Sequence, residues 1–286
     1  MISDITLGQF FPGFSTVHRL DPRTKILLAT AFIVCVFLAN NAVSFLLLTL
    51  FTLWLIPTAH ISFSVIAKSI KPLIVILIFT SILNIFMTKG ASDPLVSFWV
   101  LEIYTEGLVR ALFMSVRVII LIIGTSLFLT YTTSPISLTD GLESLLHPLT
   151  YLHVPVHIFS MMMSIALRFI PTLVEETEKI MNAQKSRGAD FSSGGLIRRA
   201  KALIPLIVPL FASAFKRAEE LATAMECRCY RVDKKRTKLV KLTFHARDVL
   251  WMLLLVLLLG VVIALRILPN HVSSDALWYR ILFYSI

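Results

Sequence analysis

Cysteine and glycine are both scarce in this sequence, which has three cysteines and 10 glycines among 286 residues. The three cysteines, Cys35, Cys227 and Cys229, are too few for the disulfide framework of a small secreted domain. The sequence holds no glycine-rich linker, no low-complexity tract and no repeat with a period of roughly 20–50 residues. Its first residues, MISDITLGQF, lack the basic start and the small-residue cleavage site of a signal peptide. We therefore expect neither a disulfide scaffold nor a cleaved leader.

The familiar catalytic motifs are absent as well. There is no G-x-x-x-x-G-K-[ST] phosphate loop, so we do not expect this chain to bind ATP in that cradle. There is no H-E-x-x-H pattern and no paired C-x-x-C pattern. Asp140, Glu143 and His147 could form an acid–base set, but no pattern brings them together. A polar helix surface is the favoured interpretation of these three residues.

Two pairs of residues have metal-ligand spacing. His153 and His157 are four positions apart, which could suit a metal ion on one helix face. Pro155 lies between them and favours a loop that enters a helix. Cys227 and Cys229 form a C-x-C pair without further ligands, and small packing residues are the favoured interpretation. We expect no metal site and no cofactor in this chain.

Apolar residues dominate what is present. The sequence is 57% hydrophobic with a mean hydropathy of +0.83, whereas an ordinary soluble domain is about 45–50% apolar. The longest apolar blocks reach the roughly 20 residues that cross a bilayer. Lys and Arg number 27 against 17 Asp and Glu, an excess that the positive-inside rule explains without nucleic acid. The sequence predicts an all-α polytopic membrane protein.

Five transmembrane helices follow from the apolar blocks. Four of them lie in an N-terminal membrane domain, 1–131, and the fifth opens a C-terminal segment, 248–286. Between them, 132–247 mixes apolar and basic residues, which predicts a cytoplasmic domain of two long amphipathic helices. The N-terminus is also expected in the cytoplasm, and one uncounted crossing would reverse the side of the C-terminus. The predicted spans are Thr24–Ala39, a second ending near Ile56, a third ending near Met87, 108–131 and 249–268.

The first span begins with the sequence LDPRTK. Asp21 is predicted to be the N-cap of this helix, and Pro22 is suited to its first turn. Arg23 and Lys25 are expected to mark the cytoplasmic border of the membrane.

Two further arginines lie within apolar sequence. Arg117 either faces a protein interior or polar cavity, as a charge inside a membrane usually does, or it snorkels from a span that begins later. Arg168 precedes Pro171 and is expected to mark the point where a helix leaves the membrane interface. Arg117 and Arg168 are both predicted to have structural roles.

The two long helices are predicted from 156 to 187 and from 196 to 228, and they end in a similar way. Ser186-Arg187-Gly188 and Cys227-Arg228-Cys229 each place one arginine between two small residues. A cation at a helix C-terminus contributes about 0.3–1 kcal/mol through the helix dipole. The dipole does not explain the small neighbours, which would let a guanidinium enter a groove on a partner and engage a carboxylate there.

The chain resembles the transmembrane T component of energy-coupling factor transporters, which are importers of the ABC class. The resemblance covers nearly the whole chain. It rests on HRLDPRTK, TTSPISLTDGLESLLHPL, ALRFIPTLVEE, AQKSRGADF and KALIPLIVPLFASAFKRAEELATAMECRCYR, in that order. Cys229 departs from the family pattern, which often has glycine at this position.

The resemblance implies a non-catalytic subunit in the membrane of a bacterial or archaeal cell. Its docking residues would be Ser186, Arg187, Gly188, Cys227, Arg228 and Cys229, and they would insert into grooves on two ABC-type ATPase subunits that bind the ATP. A separate membrane subunit, exchangeable or dedicated, would bind a vitamin or a metal ion. Two other classes remain open: a membrane-embedded enzyme and a stand-alone secondary transporter.

Met161, Met162 and Met163 are candidates for the contact with the substrate-binding subunit. Methionine surfaces repack easily and suit exchangeable partners. The alternative is that these three side chains belong to the core.

Overall fold

The computed structural model describes residues 11–88, 96–98, 101–189, 191, 195–231 and 242–267. These residues are almost entirely helical, which confirms the predicted all-α class apart from one short antiparallel ribbon, β1 paired with β2. The elements in chain order are α1 (Pro22–Leu38), α2 (Ala42–Ala59), α3 (Phe63–Ile70), a 3-10 turn (Lys71–Leu73), α4 (Ile74–Met87), β1 (Val96–Phe98), β2 (Leu101–Ile103), α5 (Thr105–Thr125), a π-helical segment (Ser126–Thr130), α6 (Pro135–Leu146), a 3-10 helix (His147–Leu152), α7 (Val156–Ser186), α8 (Leu196–Cys227) and α9 (Ala246–Ile267).

Five helical segments of the described residues are long and apolar enough to cross a membrane, by length and composition alone. The number agrees with the prediction, but the set differs in two places. α1 has 17 residues and is not among the five, whereas α7 is. The third predicted span also begins earlier, because the 3-10 turn at Lys71–Leu73 joins α3 to α4 in one 25-residue segment, Phe63–Met87.

The described residues form two compact units. One comprises residues 11–142 and 242–267, and the other comprises residues 143–231 apart from the undescribed positions. The predicted three-part division at 131 and 247 stays a prediction.

α1 is central to the first unit, where it packs against α5 and α9. Phe32 is fully buried, and its ring lies against Gly124 of α5 so closely that a Cβ atom there would lie 2.1 Å from a ring carbon. The ring of Phe128 packs between those of Phe32 and Trp251, with centroids 6.1 and 6.4 Å away. α1 therefore lies inside this unit, although it is not among the five candidate membrane spans.

The second unit is built on α7 and α8. Two contacts set their direction: Arg217 donates to Glu176 at 3.0 Å, and the Tyr230 hydroxyl donates to the sulfur of Met161 at 3.0 Å. Tyr230 comes after Arg217 in the sequence, whereas its partner Met161 comes before Glu176. α7 and α8 are an antiparallel pair.

The first turns of α7 are held by Glu143. Its two carboxylate oxygens contact different side chains of the helix: Oε1 lies 3.1 Å from Nδ1 of His157, and Oε2 accepts a hydrogen bond from Ser160 at 2.7 Å. Ser160 is buried and Glu143 is nearly so. A carboxylate beside a helix N-terminus is also favoured by the helix dipole.

Candidate functional site

α7 ends in a Schellman cap around the first arginine tripeptide. Arg187 is the C-cap residue. The N–H of Gly188 donates to the carbonyl of Lys185 at 2.9 Å, and the N–H of Ala189 donates to the carbonyl of Gln184 at 3.0 Å. These are the two hydrogen bonds of that motif, and its C′ residue must adopt a left-handed conformation. Gly188 does so with φ of 84°.

α8 ends in the same cap, 41 residues later at every position. Arg228 is the C-cap residue. The N–H of Cys229 donates to the carbonyl of Glu226 at 2.8 Å, and the N–H of Tyr230 donates to the carbonyl of Met225 at 3.0 Å. Cys229 has φ of 54°, a left-handed conformation that disfavours a residue with a Cβ atom by about 1–2 kcal/mol. The repeated sequence pattern is thus a repeated backbone geometry.

All six tripeptide residues are exposed: Ser186, Arg187, Gly188, Cys227, Arg228 and Cys229. Within the part of the chain that the structure describes, neither guanidinium forms a hydrogen bond or an ion pair. The neighbouring carbonyls at each helix end add a partial negative charge, but they do not satisfy the five N–H donors of an arginine. No described residue therefore engages the fork of donors on either arginine.

The two arginines lie at opposite ends of the helix pair. The contact between Tyr230 and Met161 places the end of α8 beside the beginning of α7. The residue of α7 level with Arg228 is therefore near Met163. From there to Arg187, a rise of 1.5 Å per residue gives a separation of about 35 Å. Two partner surfaces this far apart could each take one arginine.

The three methionines of α7 do not share one environment. Met161 is half-buried and its sulfur accepts the hydrogen bond from Tyr230, the residue that directly follows the second tripeptide. Met162 and Met163 are 53% and 40% exposed. Met161 therefore has a structural contact within its own unit, and Met162 and Met163 are the pair available to a partner. Their assignment to a subunit interface stays a prediction.

α8 carries an exposed apolar face that the sequence analysis missed. Its residues recur at spacings of four, three and four, and the rings of Phe211 and Phe215 stack with centroids 6.4 Å apart. Phe215 is 72% exposed. Among the described side chains of α8, Leu206 is buried, at 4% exposed. Helical periodicity shows that a face exists but not whether it is covered. We call this surface the α8 apolar face: Ile204, Val208, Phe211 and Phe215.

The residues of the LDPRTK motif form the start of α1. Asp21 is the N-cap, as predicted, and accepts a hydrogen bond from the N–H of Arg23 at 2.9 Å, while Pro22 is the first helical residue. Lys25 is only 2% exposed. It donates to the carbonyls of Thr132 at 2.7 Å and His18 at 3.1 Å. Lys25 is therefore an internal connector between segments of the chain. The assignment of Arg23 and Lys25 to the membrane border stays a prediction.

Arg117 points into the protein. It donates to the carbonyl of Ala39, the C-cap residue of α1, at 2.8 Å. Its guanidinium carbon also lies 5.2 Å from the centroid of the Phe45 ring. A cation is favourable at a helix C-terminus, where backbone carbonyls lack partners. Of the two interpretations left open by the sequence, this geometry favours the interior one.

Arg168 lies on the exposed side of α7, which continues without interruption through Pro171 to Ser186. Its predicted position at the membrane interface stays a prediction.

Residues of the possible acid–base and metal sites have other contacts or conformations in the structure. Glu143 contacts His157 and Ser160. His153 ends the 3-10 helix in a left-handed conformation, with φ of 62°. No cluster of three His, Cys, Asp or Glu residues that could hold a metal ion occurs in the described ranges.

These features define a multi-pass, all-helical membrane protein that carries a long helix pair with matching arginine caps. The family model described as cobalt transport protein (CbiQ) matches residues 13–239. The energy-coupling factor transporter transmembrane protein EcfT of Clostridium kluyveri is 51% identical over 267 residues, which cover 93% of this chain and 98% of the relative. The EcfT proteins of Ruminiclostridium cellulolyticum and Bacillus subtilis are 52% and 48% identical, over 87% and 93% of this chain and 92% and 100% of their own lengths.

The chain therefore belongs to the EcfT family of energy-coupling factor transporter transmembrane proteins, which confirms the resemblance noted in the sequence.

Proposed function

We propose that this chain couples ATP hydrolysis by two partner ATPase subunits to substrate uptake through a separate membrane subunit. Its own role is mechanical: it binds no ATP and carries out no catalytic step. Each arginine tripeptide inserts into one ATPase subunit. The observation that carries the proposal is that the same exposed cap occurs at both ends of an antiparallel helix pair, about 35 Å apart.

The geometry suits the transmission of motion. Movement of the two ATPase subunits toward or away from each other would displace both ends of the helix pair. α7 and α8 have 31 and 32 residues, and the hydrogen bonds along each helix keep it stiff over that length. The displacement therefore reaches the apolar surfaces along the pair.

The apolar surfaces would contact the substrate-binding subunit. The α8 apolar face and the pair Met162 and Met163 are exposed in this chain. Exposed apolar patches of this kind mark interaction sites for proteins or membranes. The substrate-binding subunit, shared or dedicated, would select the vitamin or metal ion. The N-terminus and the α7–α8 region would lie on the cytoplasmic side, where ATP is available.

The docking role is tested with the double variant Arg187→Glu/Arg228→Glu. Reversal of charge at both caps should abolish co-purification with the ATPase subunits in mild detergent and abolish ATP-driven uptake. The matched control is Lys179→Glu/Lys216→Glu, which makes the same charge change at exposed positions of the same two helices. Circular dichroism checks that both variants remain helical. An intact complex with the arginine variant would refute the docking role.

A further inference from the structure

Two of the three cysteines in this chain flank Arg228, and both are exposed. Cys227 is the last residue of α8, and Cys229 is the C′ residue of its cap. The third cysteine, Cys35, is fully buried in α1. A thiol reagent that meets the folded protein therefore reaches two thiols, and both lie in one tripeptide.

Cys229 has a backbone conformation that is unfavourable for cysteine. The position requires a left-handed backbone, which glycine adopts at no steric cost and cysteine does not. The equivalent position of the first tripeptide holds Gly188 in that conformation. α8 therefore places a thiol where helix capping alone would favour glycine. The chain itself supplies the comparison, because Ser186-Arg187-Gly188 forms the same cap without sulfur.

We propose that the Cys227-Arg228-Cys229 tripeptide is a reversible thiol-modification site, and that a thiol adduct and the docking of an ATPase subunit exclude each other. The proposal rests on the docking function proposed above. Small side chains on both sides of the arginine let the backbone approach a groove. A thiol is small only while it is unmodified, so the second tripeptide can change size and the first cannot.

The reaction is thiol–disulfide exchange with an anionic low-molecular-weight disulfide. The thiolate of Cys227 or Cys229 attacks one sulfur of the disulfide, and a new sulfur–sulfur bond forms as the old one breaks. The departing thiolate takes up the proton that the cysteine lost to solvent. No further oxidant is needed. Arg228 and the exposed Arg231 provide positive charge beside the thiols, which favours the approach of an anionic reagent.

Mutual exclusion has a reciprocal consequence. If an adduct weakens ATPase binding by some factor, then ATPase binding must disfavour the adduct by the same factor at equilibrium. An oxidised thiol pool would therefore release this end of the helix pair and leave the Arg187 end unaffected. A complex held at both ends would become a complex held at one.

Glutathione disulfide is the probe for the test, and it is added to the free chain and to the assembled complex with both ATPase subunits. Mass spectrometry of the free folded chain should find adducts at Cys227 and Cys229 and none at Cys35, which reacts only after denaturation. In the complex, the two exposed thiols should react at least about tenfold more slowly. Prior modification should leave the complex held at the Arg187 end alone, so that the recovery of ATPase subunits falls to the level seen with Arg228→Glu, and dithiothreitol should restore it.

The matched control is Cys227→Ser/Cys229→Gly, which turns the second tripeptide into a copy of the first. With this variant, the recovery of ATPase subunits should be the same with and without glutathione disulfide, because the cap no longer carries a thiol; a fall in recovery would overturn the thiol proposal. Arg228→Glu separates the two proposals. Recovery of the ATPase subunits with Arg228→Glu at the unsubstituted level would overturn docking at this tripeptide. If Arg228→Glu lowers this recovery but modification of both thiols in the wild-type chain does not, docking stands and the thiol proposal is overturned.

Discussion

The backbone N–H of Asp21 donates to the carboxylate of Asp248 at 2.9 Å across 227 positions of sequence. Asp248 is fully buried, and its other oxygen accepts from the N–H of His245 at 2.8 Å. One carboxylate thus joins the start of α1 to the start of α9. Both acceptor oxygens are used by backbone donors, which would otherwise lack partners at these two helix ends.

We expect Asp248→Ala to lower the free energy of unfolding by about 2–4 kcal/mol, because it removes two charge-assisted hydrogen bonds and leaves buried donors unpaired. Asp248→Asn, which keeps one acceptor oxygen, should cost about half as much. Thermal unfolding in detergent measures both. Asp140→Asn is the control, since Asp140 forms no hydrogen bond among the described residues. Equal midpoints for Asp248→Ala and the control would contradict the prediction.

Arg117→Met should lower the stability of the first unit by about 1–3 kcal/mol, because it leaves the carbonyl of Ala39 without its donor and removes the contact with the Phe45 ring. Arg110→Met alters an exposed arginine of the same helix and should change the unfolding midpoint little. The two variants are compared by thermal unfolding. A similar small effect from both would mean that Arg117 has no structural role.

The two helix caps can be compared by exchanging their C′ residues. Gly188→Cys places a Cβ atom on a left-handed backbone and should destabilise the end of α7 by about 1 kcal/mol. Cys229→Gly relieves the same strain at the end of α8 and should stabilise that end by up to the same amount. Amide hydrogen exchange of Ala189 and Tyr230, the residues that close the two caps, reports each effect locally. If both variants stabilised their helix ends, or both destabilised them, the explanation by backbone strain would be refuted.

His18 should make the folded state sensitive to acid. Burial, more than the nearby Lys25 and His60, lowers the pKa of His18 below its ordinary value of 6.5. Its Nε2 lies 2.9 Å from the carbonyl of Phe11, which can only accept, so Nε2 carries the proton. Nδ1 then accepts from the Ser15 hydroxyl at 2.6 Å. Protonation of Nδ1 would turn it from an acceptor into a donor, so the hydrogen bond with Ser15 would have to change direction. It would also add a positive charge beside Lys25.

Because the folded state binds the proton more weakly than the unfolded state, stability is complete above about pH 7 and falls as the pH drops through 6.5. We expect His18→Asn to remove part of the difference in unfolding midpoint between pH 7.5 and pH 5.5. His153→Asn alters an exposed histidine at a left-handed position that asparagine tolerates, and it should leave that difference unchanged. A His18 variant with the full pH dependence would contradict this prediction.

The two long helices show how far sequence reasoning reaches. Their predicted limits, 156–187 and 196–228, differ by one residue from the observed ends at Ser186 and Cys227. Helical periodicity over some 30 residues and a distinct terminating tripeptide are local signals, so they can be read without knowledge of the fold. The N-cap role of Asp21 was predictable for the same reason.

The contacts that hold the helices together were not predictable in this way. Nothing near Arg117 in the sequence indicates that it caps a helix 78 positions earlier. The α8 apolar face was missed because a single helix does not reveal which of its apolar residues are covered. Lys25 has the same charge as Arg23, yet it is buried because two backbone carbonyls converge on it.

By itself, the sequence determined the helical class, the apolar segments long enough for a membrane, and the two arginine-capped helix ends, because these depend on composition and on interactions between near neighbours. Only the tertiary structure decided that the two caps lie at opposite ends of one antiparallel pair, and that Asp248, Arg117 and Lys25 connect distant segments. Those outcomes depend on which surfaces exclude solvent from each other, and that is a property of the whole packed chain.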